Sequence, residues 1–142
     1  LFKVTSGYSV KQKRGKSGKI SILLPSLKYV TVSCNDNLRS VIQKINELGV
    51  NAIIVCKDKK AVGVISTEEL LEIEPSKYEI LKVCDVELHE VITLYEDASV
   101  KELLDTFREK EVPVIGILNK QGELVGTIYE RDLLRLLLTL KI

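Results

Sequence analysis

The sequence has no methionine or tryptophan, a single histidine, and only 5% aromatic residues in 142 positions. No serine or cysteine is placed to partner His89, so a catalytic triad is excluded and we expect this residue to be structural or exposed. The chain also has no acid–base pair beside a nucleophile, no metal-ligand cluster and no cofactor fingerprint. These absences predict that the protein is not an enzyme and requires neither a metal nor a cofactor.

Cysteine is scarce as well. Cys34, Cys56 and Cys84 stand at irregular distances, and an odd count without a Cys-x-x-Cys pair argues against a disulfide framework and against a zinc site. We therefore expect three buried, reduced thiols in a cytoplasmic protein.

Long apolar runs are missing too. None approaches the roughly 20 residues that span a bilayer, and no signal peptide is evident, so we expect no membrane segment. Because the chain begins at Leu1 rather than at methionine, we expect a trimmed start and a larger parent protein.

The net charge of +1 conceals an uneven distribution. Residues 1–19 hold only basic charges, whereas acids are in excess over the rest of the chain. This basic arm could contact an anionic partner. With Phe2 and Tyr8 as its only aromatic residues and an acidic body behind it, nucleic-acid binding is disfavoured.

One nine-residue pattern occurs twice, at 63–71 and at 126–134. Each copy begins with glycine and apolar strand residues, passes through a polar turn to an acid, and ends in a leucine pair. A segment that recurs in this way indicates one supersecondary unit used twice.

Hydrophobic periodicity extends the repeat to the whole chain, with each half reading strand, helix, strand, strand, helix. The strands are predicted at 29–32, 51–56 and 61–65, and again at 91–94, 113–118 and 123–128. The helices are predicted at 38–48, at 66–72, from Ser99 through Phe107, and at 131–140. The predicted organisation is a basic arm (1–19), a first repeat (20–74), a linker packed on the module (75–90) and a second repeat (91–142). The helices cannot bury their apolar stripes alone, so we expect the two halves to share one core.

The closing helix is apolar around nearly its whole circumference, with seven leucine or isoleucine residues between positions 133 and 142. A helix of this kind is normally buried on all sides. Its second face predicts either a homodimer surface or a docking face for the rest of a parent protein, unless the module buries it completely.

Two strand–helix–strand–strand–helix units, each ending in a close variant of Gly-hydrophobic-hydrophobic-(Ser/Thr)-x-x-Asp-Leu, resemble a tandem pair of cystathionine-β-synthase (CBS) domains, or Bateman module, over about residues 20–140. The resemblance implies an α+β fold of two CBS units related by a pseudo-twofold axis, with two clefts between them. It also implies a regulatory role in which an adenosine-containing ligand (AMP, ADP, ATP or S-adenosylmethionine) modulates a partner or parent protein.

The resemblance assigns one cleft, here named the Asp132 cleft, to the second motif. Asp132 would accept hydrogen bonds from ribose hydroxyls, and the helix start would face phosphate. The same repeat would contribute Thr127, Tyr129 and Arg131, and the other repeat would contribute Lys28, Tyr29, Val30, Val50 and Asn51. We expect the ligand here, because Lys28 and Arg131 can meet phosphate. Tyr129 stands where serine or threonine is usual and would either close the cleft or stack on a base.

The other cleft, here named the Ser66 cleft, belongs to the first motif. Its implied lining is Val64, Ser66, Glu68 and Glu69, facing Glu90, Val91, Ile92, Val112 and Pro113. We expect it to be the weaker site, because Glu69 is one methylene longer than aspartate and three acids would oppose phosphate. Two alternatives need no ligand: Ser66 and Glu69 also fit a capping box, and Asp132 also fits the helix dipole.

The sequence therefore leaves two functions open. The first is a regulatory adenine-nucleotide sensor. The second is a ligand-free dimerisation or interaction module with vestigial clefts, which the two departures from the motif and the apolar last helix favour.

Overall fold

A computed structural model describes residues 18–138, and the predicted basic arm lies outside this range except for its last two residues. Both repeats have the predicted order of elements. The first contains β1 (Thr31–Ser33), α1 (Leu38–Leu48), β2 (Ala52–Lys57), β3 (Lys60–Ser66) and α2 (Thr67–Leu71). The second contains β4 (Thr93–Tyr95), α3 (Val100–Lys110), β5 (Val114–Leu118), β6 (Leu124–Tyr129) and α4 (Leu133–Leu137). The α+β fold class is confirmed.

Each repeat forms its own three-stranded sheet, in the orders β1-β2-β3 and β4-β5-β6. The first strand of each sheet runs parallel to the middle strand, because α1 or α3 provides the crossover, and the last two strands form an antiparallel hairpin. In β2 the five residues from Ala52 to Cys56 are all buried, which is typical of a strand covered on both faces.

Helix α1 begins and ends where the sequence predicts, and α3 begins at the predicted cap but continues to Lys110. The Asn37 side chain accepts a hydrogen bond from the Ser40 N–H at the start of α1. Gly49 ends that helix with a φ of 66°, in the left-handed region that glycine adopts without strain. The Ser99 hydroxyl accepts from the Glu102 N–H at the start of α3.

The segment that precedes each repeat packs on the other repeat. Residues Ile20–Ser26 form a 3-10 helix whose Ile20 and Leu23 join the core of the second repeat. The linker instead runs along the first repeat, where the carbonyls of Tyr78 and Leu81 accept hydrogen bonds from the first turn of α1. The single core expected from the sequence is therefore divided into two hydrophobic clusters, each containing residues contributed by the other half of the chain.

The prediction of three reduced thiols is wrong. Cys34 and Cys84 form a disulfide with a Cα–Cα distance of 4.9 Å, and only Cys56 is a free, buried thiol. The linker brings Cys84 to the start of α1, where the Cys84 N–H donates to the Cys34 carbonyl at 3.2 Å. Irregular spacing along the sequence could not reveal this pairing, because it depends on the path of the linker.

The closing helix is buried on one side only. Leu136 is 2% exposed, whereas Leu134 is 79% and Leu138 is 86% exposed. The last residues of the predicted helix, beyond position 138, lie outside the described range. Across residues 18–138, every helix is too short or too polar to cross a membrane.

Candidate functional site

Two clefts lie between the repeats, and two short antiparallel bridges form their floors. Lys28 pairs with Thr127, and His89 pairs with Val64. A Cβ atom on Gly126 would lie 2.9 Å from Leu27 Cδ1, and one on Gly63 would lie 2.7 Å from Leu88 Cβ. The repeated motif glycines are therefore required by the close approach of the crossing segment.

The Asp132 cleft is almost filled. Its cavity is only about 50 Å³, whereas pockets for drug-sized ligands measure roughly 300–1,000 Å³. Most of the predicted residues line it: Lys28, Val30, Val50, Thr127, Tyr129, Arg131 and Asp132. Tyr29 and Asn51 do not, because successive side chains of an extended segment point to opposite sides. The Tyr29 hydroxyl lies 4.0 Å from the Cys56 sulfur instead, and Asn51 lines the Ser66 cleft.

The Thr127 hydroxyl forms both of its hydrogen bonds with the backbone of residues 28–30, which cross from the first repeat. It accepts a hydrogen bond from the Val30 N–H at 3.1 Å and donates to the Lys28 carbonyl at 3.0 Å. Thr127 is only 4% exposed. Its side chain therefore holds the two repeats together and has little surface left for a ligand.

Tyr129 reaches into the first repeat. Its hydroxyl donates a 2.7 Å hydrogen bond to the Ala52 carbonyl, and the residue is 7% exposed within the core cluster of the first repeat. Burial raises the pKa of Tyr129 to about 12, with Arg131 lowering it and Asp132 raising it less strongly. The phenol is therefore neutral at physiological pH and serves as an inter-repeat contact.

Arg131 spans the mouth of the Asp132 cleft. Its guanidinium donates to the Gly49 carbonyl at 2.6 Å and to the Leu48 carbonyl at 2.8 Å. These carbonyls end α1, where unpaired acceptors and the negative end of the helix dipole favour a cation. Asp132 is partly buried, and its carboxylate makes no side-chain hydrogen bond within residues 18–138.

The Ser66 cleft is open, with a volume of about 650 Å³. All of its predicted residues line it except Glu69 and Val91. The full lining is Asn51, Ala52, Val64, Ser66, Thr67, Glu68, His89, Glu90, Ile92, Val112, Pro113 and Val114. His89 was missed by sequence reasoning, because a lone histidine in a linker carries no local signal.

Glu69 faces away from this cleft because it belongs to a capping box with Ser66. Its Oε1 accepts hydrogen bonds from the Ser66 N–H and the Ser66 hydroxyl, both at 2.8 Å. Its Oε2 contacts His89 Nε2. Burial raises the pKa of Glu69, but the hydrogen bonds from Ser66 and His89 outweigh it and leave the pKa below its usual value. The capping interpretation of Ser66 and Glu69 is thus confirmed.

The Ser66 cleft combines an apolar wall with a polar, acidic edge. Val64, Ile92 and Val112 contribute the apolar surface, and the hydroxyls of Ser66 and Thr67 lie at the start of α2. Glu68 and Glu90 are exposed at its rim, and its lining contains no lysine or arginine. This arrangement suits a flat apolar group carrying hydrogen-bonding substituents better than a highly charged anion.

Comparison with known proteins identifies the repeated unit. A sequence-family model described as the CBS domain matches residues 21–76 and 83–139. The chain therefore belongs to the CBS domain family, and its fold is that of a CBS domain pair.

Curated relatives are longer than this chain. Uncharacterized protein MJ1225 of Methanocaldococcus jannaschii is 29% identical over 129 residues, which cover 78% of this chain and 46% of the relative. Hemolysin C of Brachyspira hyodysenteriae is 26% identical over 115 residues, which cover 80% of this chain and 41% of the relative. The chain thus spans less than half the length of these curated relatives.

Solved structures agree on the fold. The crystal structure of MJ1225 has a TM-score of 0.70 at 25% identity, covering 85% of this chain and 50% of that one. Protein MJ1004 of the same organism has a TM-score of 0.73 at 20% identity, covering 85% of this chain and 60% of that one.

Proposed function

We propose that this CBS domain pair is a regulatory module that binds an adenine nucleotide of the AMP, ADP or ATP class between its repeats. Ligand bridging the repeats would favour one arrangement of the module and so modulate a partner or a parent protein. Such regulation works only through a difference in ligand affinity between two states of the module. The similarity to MJ1225, which is itself proposed to be an archaeal homologue of g-AMPK, supports this proposal.

The observation that carries the proposal is the open Ser66 cleft. Its volume of about 650 Å³ lies within the range of small-molecule sites. Apolar side chains from both repeats, Val64 on one and Ile92 and Val112 on the other, can sandwich a purine ring. The hydroxyls of Ser66 and Thr67 can hydrogen-bond to a sugar or a phosphate.

The volumes favour the Ser66 cleft over the Asp132 cleft, although its acids oppose phosphate. Arg131, the cation expected to meet phosphate in the Asp132 cleft, is instead bonded to backbone carbonyls. We therefore place the ligand first in the Ser66 cleft. Ligand binding in the Asp132 cleft stays a prediction, and it requires Arg131 to move.

Thermal unfolding with AMP, ADP, ATP and S-adenosylmethionine tests this function. A ligand present at 100 times its dissociation constant should stabilise the folded protein by about 2.7 kcal/mol. Val112→Trp fills the Ser66 cleft from a partly buried position and should abolish the shift. Val62→Trp places the same ring at an exposed position outside the cleft and should preserve it. No shift with any of the four compounds at millimolar concentration would refute ligand sensing.

A second candidate is a homodimeric interaction module that needs no ligand. The specific observation is that α2 and α4, which end the two repeats, both expose leucine: Leu71 is 81% and Leu134 is 79% exposed. Exposed apolar side chains at equivalent positions suit a symmetric partner. Sedimentation should show a dimer that Leu71→Asp and Leu134→Asp dissociate, and a monomer at high concentration would refute it.

A further inference from the structure

A cluster of three potential metal ligands lies beside the Ser66 cleft. One ligand atom from each of Glu68, Glu69 and His89 lies within 4.8 Å of the other two. Glu68 and His89 line the cleft, and all three residues line the adjacent Glu72 groove. That groove has a volume of about 610 Å³ and is lined by Glu68, Glu69, Glu72, Ile73, Val86, Glu87, Leu88 and His89.

The backbone that carries the histidine is held in place. His89 and Val64 exchange two backbone hydrogen bonds, each 2.9 Å long. Beneath them, Gly63 leaves no room for a side chain, because its Cβ would lie 3.1 Å from the His89 carbonyl oxygen. The backbone that carries the imidazole is therefore fixed on the first repeat, while the side chain itself is 57% exposed and can adjust to a ligand.

The two carboxylates are also suited to ligation. Ser66 holds Glu69 Oε1 by two hydrogen bonds and so orients Oε2 toward His89. Groups that orient a ligand in this way support metal binding. Glu68 is exposed, and its side chain makes no hydrogen bond or ion pair within residues 18–138, so the carboxylate can turn toward a cation.

The acidic residues around the cluster also favour binding of a cation. Glu72 and Glu87 border the cluster in the groove, and Glu90 borders it in the cleft. No lysine or arginine is among the residues that line either space. Carboxylates gathered without a cation repel one another, and a divalent ion would relieve that repulsion.

We propose that Glu68, Glu69 and His89 form a site for a divalent transition-metal ion of the Zn²⁺ class. One imidazole nitrogen and two carboxylate oxygens are acceptable zinc ligands. Tetrahedral zinc with bonds of about 2.1 Å separates its ligand atoms by about 3.4 Å. The contact of His89 with Glu69 is closer than this, so the exposed imidazole moves outward when the ion enters. A bound ion would fasten the linker to α2 and place a positive charge at the rim of the Ser66 cleft.

The second repeat provides an internal control. In register with the repeat, Glu68 corresponds to Arg131 and Glu69 to Asp132. His89 corresponds to Lys28, since these two residues pair with the equivalent positions Val64 and Thr127. Two cations in place of a carboxylate and an imidazole cannot bind a metal, so the site is confined to the first motif. The proposal is independent of nucleotide binding.

Zinc titration by calorimetry tests the site, using tag-free protein with the Cys34–Cys84 disulfide intact so that these thiolates do not compete. We expect one Zn²⁺ per chain. Loss of a supporting group alone commonly weakens metal binding 10- to 100-fold, so Glu68→Gln and His89→Ala should each weaken it by about tenfold or more. Glu90→Gln removes a neighbouring charge from the same cleft but no ligand, and should weaken binding much less than either ligand variant.

Spectroscopy supplies a second measurement. Co²⁺ should show visible d–d bands without the charge-transfer band of a thiolate ligand. Because His89 is the only histidine, its imidazole NMR signals should shift on addition of Zn²⁺. Absence of stoichiometric binding, unshifted imidazole signals, or an effect of Glu90→Gln as large as that of Glu68→Gln would each overturn the proposal.

Discussion

The Asp132 cleft and the Ser66 cleft occupy equivalent places between the repeats, yet one holds about 50 Å³ and the other about 650 Å³. The backbone plan is shared, including the bridges that cross the two motif glycines. The side chains account for the difference. Tyr129 stands at the position of Ser66, and its hydroxyl reaches the Ala52 carbonyl on the other repeat, whereas the Ser66 hydroxyl bonds to Glu69 within its own repeat.

Arg131 and Glu68 also occupy equivalent positions in the two motifs, and they too differ between the clefts. Arg131 crosses to the end of α1, while the exposed Glu68 side chain makes no such bond to the other repeat among the described residues. In the Asp132 cleft these side chains join the repeats, whereas the Ser66 cleft stays open. Two side-chain differences on a common backbone thus accompany one filled and one open cleft in a duplicated unit.

Replacing Tyr129 with the residue of the other repeat should have the largest effect. Tyr129→Ser removes a buried ring and its hydrogen bond, which should lower the free energy of unfolding by about 4 kcal/mol. Urea denaturation measures the loss. Tyr129→Phe retains the ring and should cost only about 1–2 kcal/mol. Equal losses of stability for the two variants would show that Tyr129 stabilises the protein through its hydrogen bond and not by filling the Asp132 cleft.

Breaking the disulfide should come next, because only the first repeat is fastened to a linker in this way. Cys34 and Cys84 are separated by 50 residues, and closing a loop of this size stabilises a protein by about 2–4 kcal/mol. Cys84→Ser should lose that amount in urea denaturation. Reductant should destabilise the parent chain by the same amount and leave the variant unaffected. A parent chain indifferent to reductant would contradict this prediction.

High pH should weaken the Tyr129 contact selectively. The pKa of this phenol is about 12 in the folded protein and about 10 when unfolded. Above pH 10 the unfolded chain releases the proton first, so stability is complete below pH 10 and falls as the pH rises toward 12. The loss should be about 1–2 kcal/mol. Tyr129→Phe lacks this ionisation, and the difference between the two proteins in urea denaturation at pH 8 and pH 11 isolates it.

The sequence predicted the parts of this comparison that depend on local contacts. Helix α1, the cap at Gly49 and the Ser66–Glu69 box all follow from residues within a few positions of one another. The family resemblance places Tyr29 and Asn51 in the Asp132 cleft, whereas side-chain alternation turns both away from it. The positions of Cys84 and His89 depend on the path of the linker across the first repeat. Hydrophobic periodicity does not encode such long-range contacts.

Opening the mouth of the Asp132 cleft should have the smallest effect on stability and tests the difference between the two clefts. Arg131→Ala removes two hydrogen bonds to the end of α1, and because the guanidinium is exposed the loss should be only about 1 kcal/mol. Glu68→Ala, at the equivalent position, has no such bonds to lose and should leave the stability nearly unchanged.

If Arg131 alone closes the mouth, its removal should also admit a nucleotide beside Asp132, which thermal shift would detect even with Val112→Trp filling the Ser66 cleft. If the double variant shows no shift, Tyr129 and Thr127 are sufficient to keep the Asp132 cleft closed. The division of roles between the clefts would then be set by the buried contacts, and the arginine would only reinforce them.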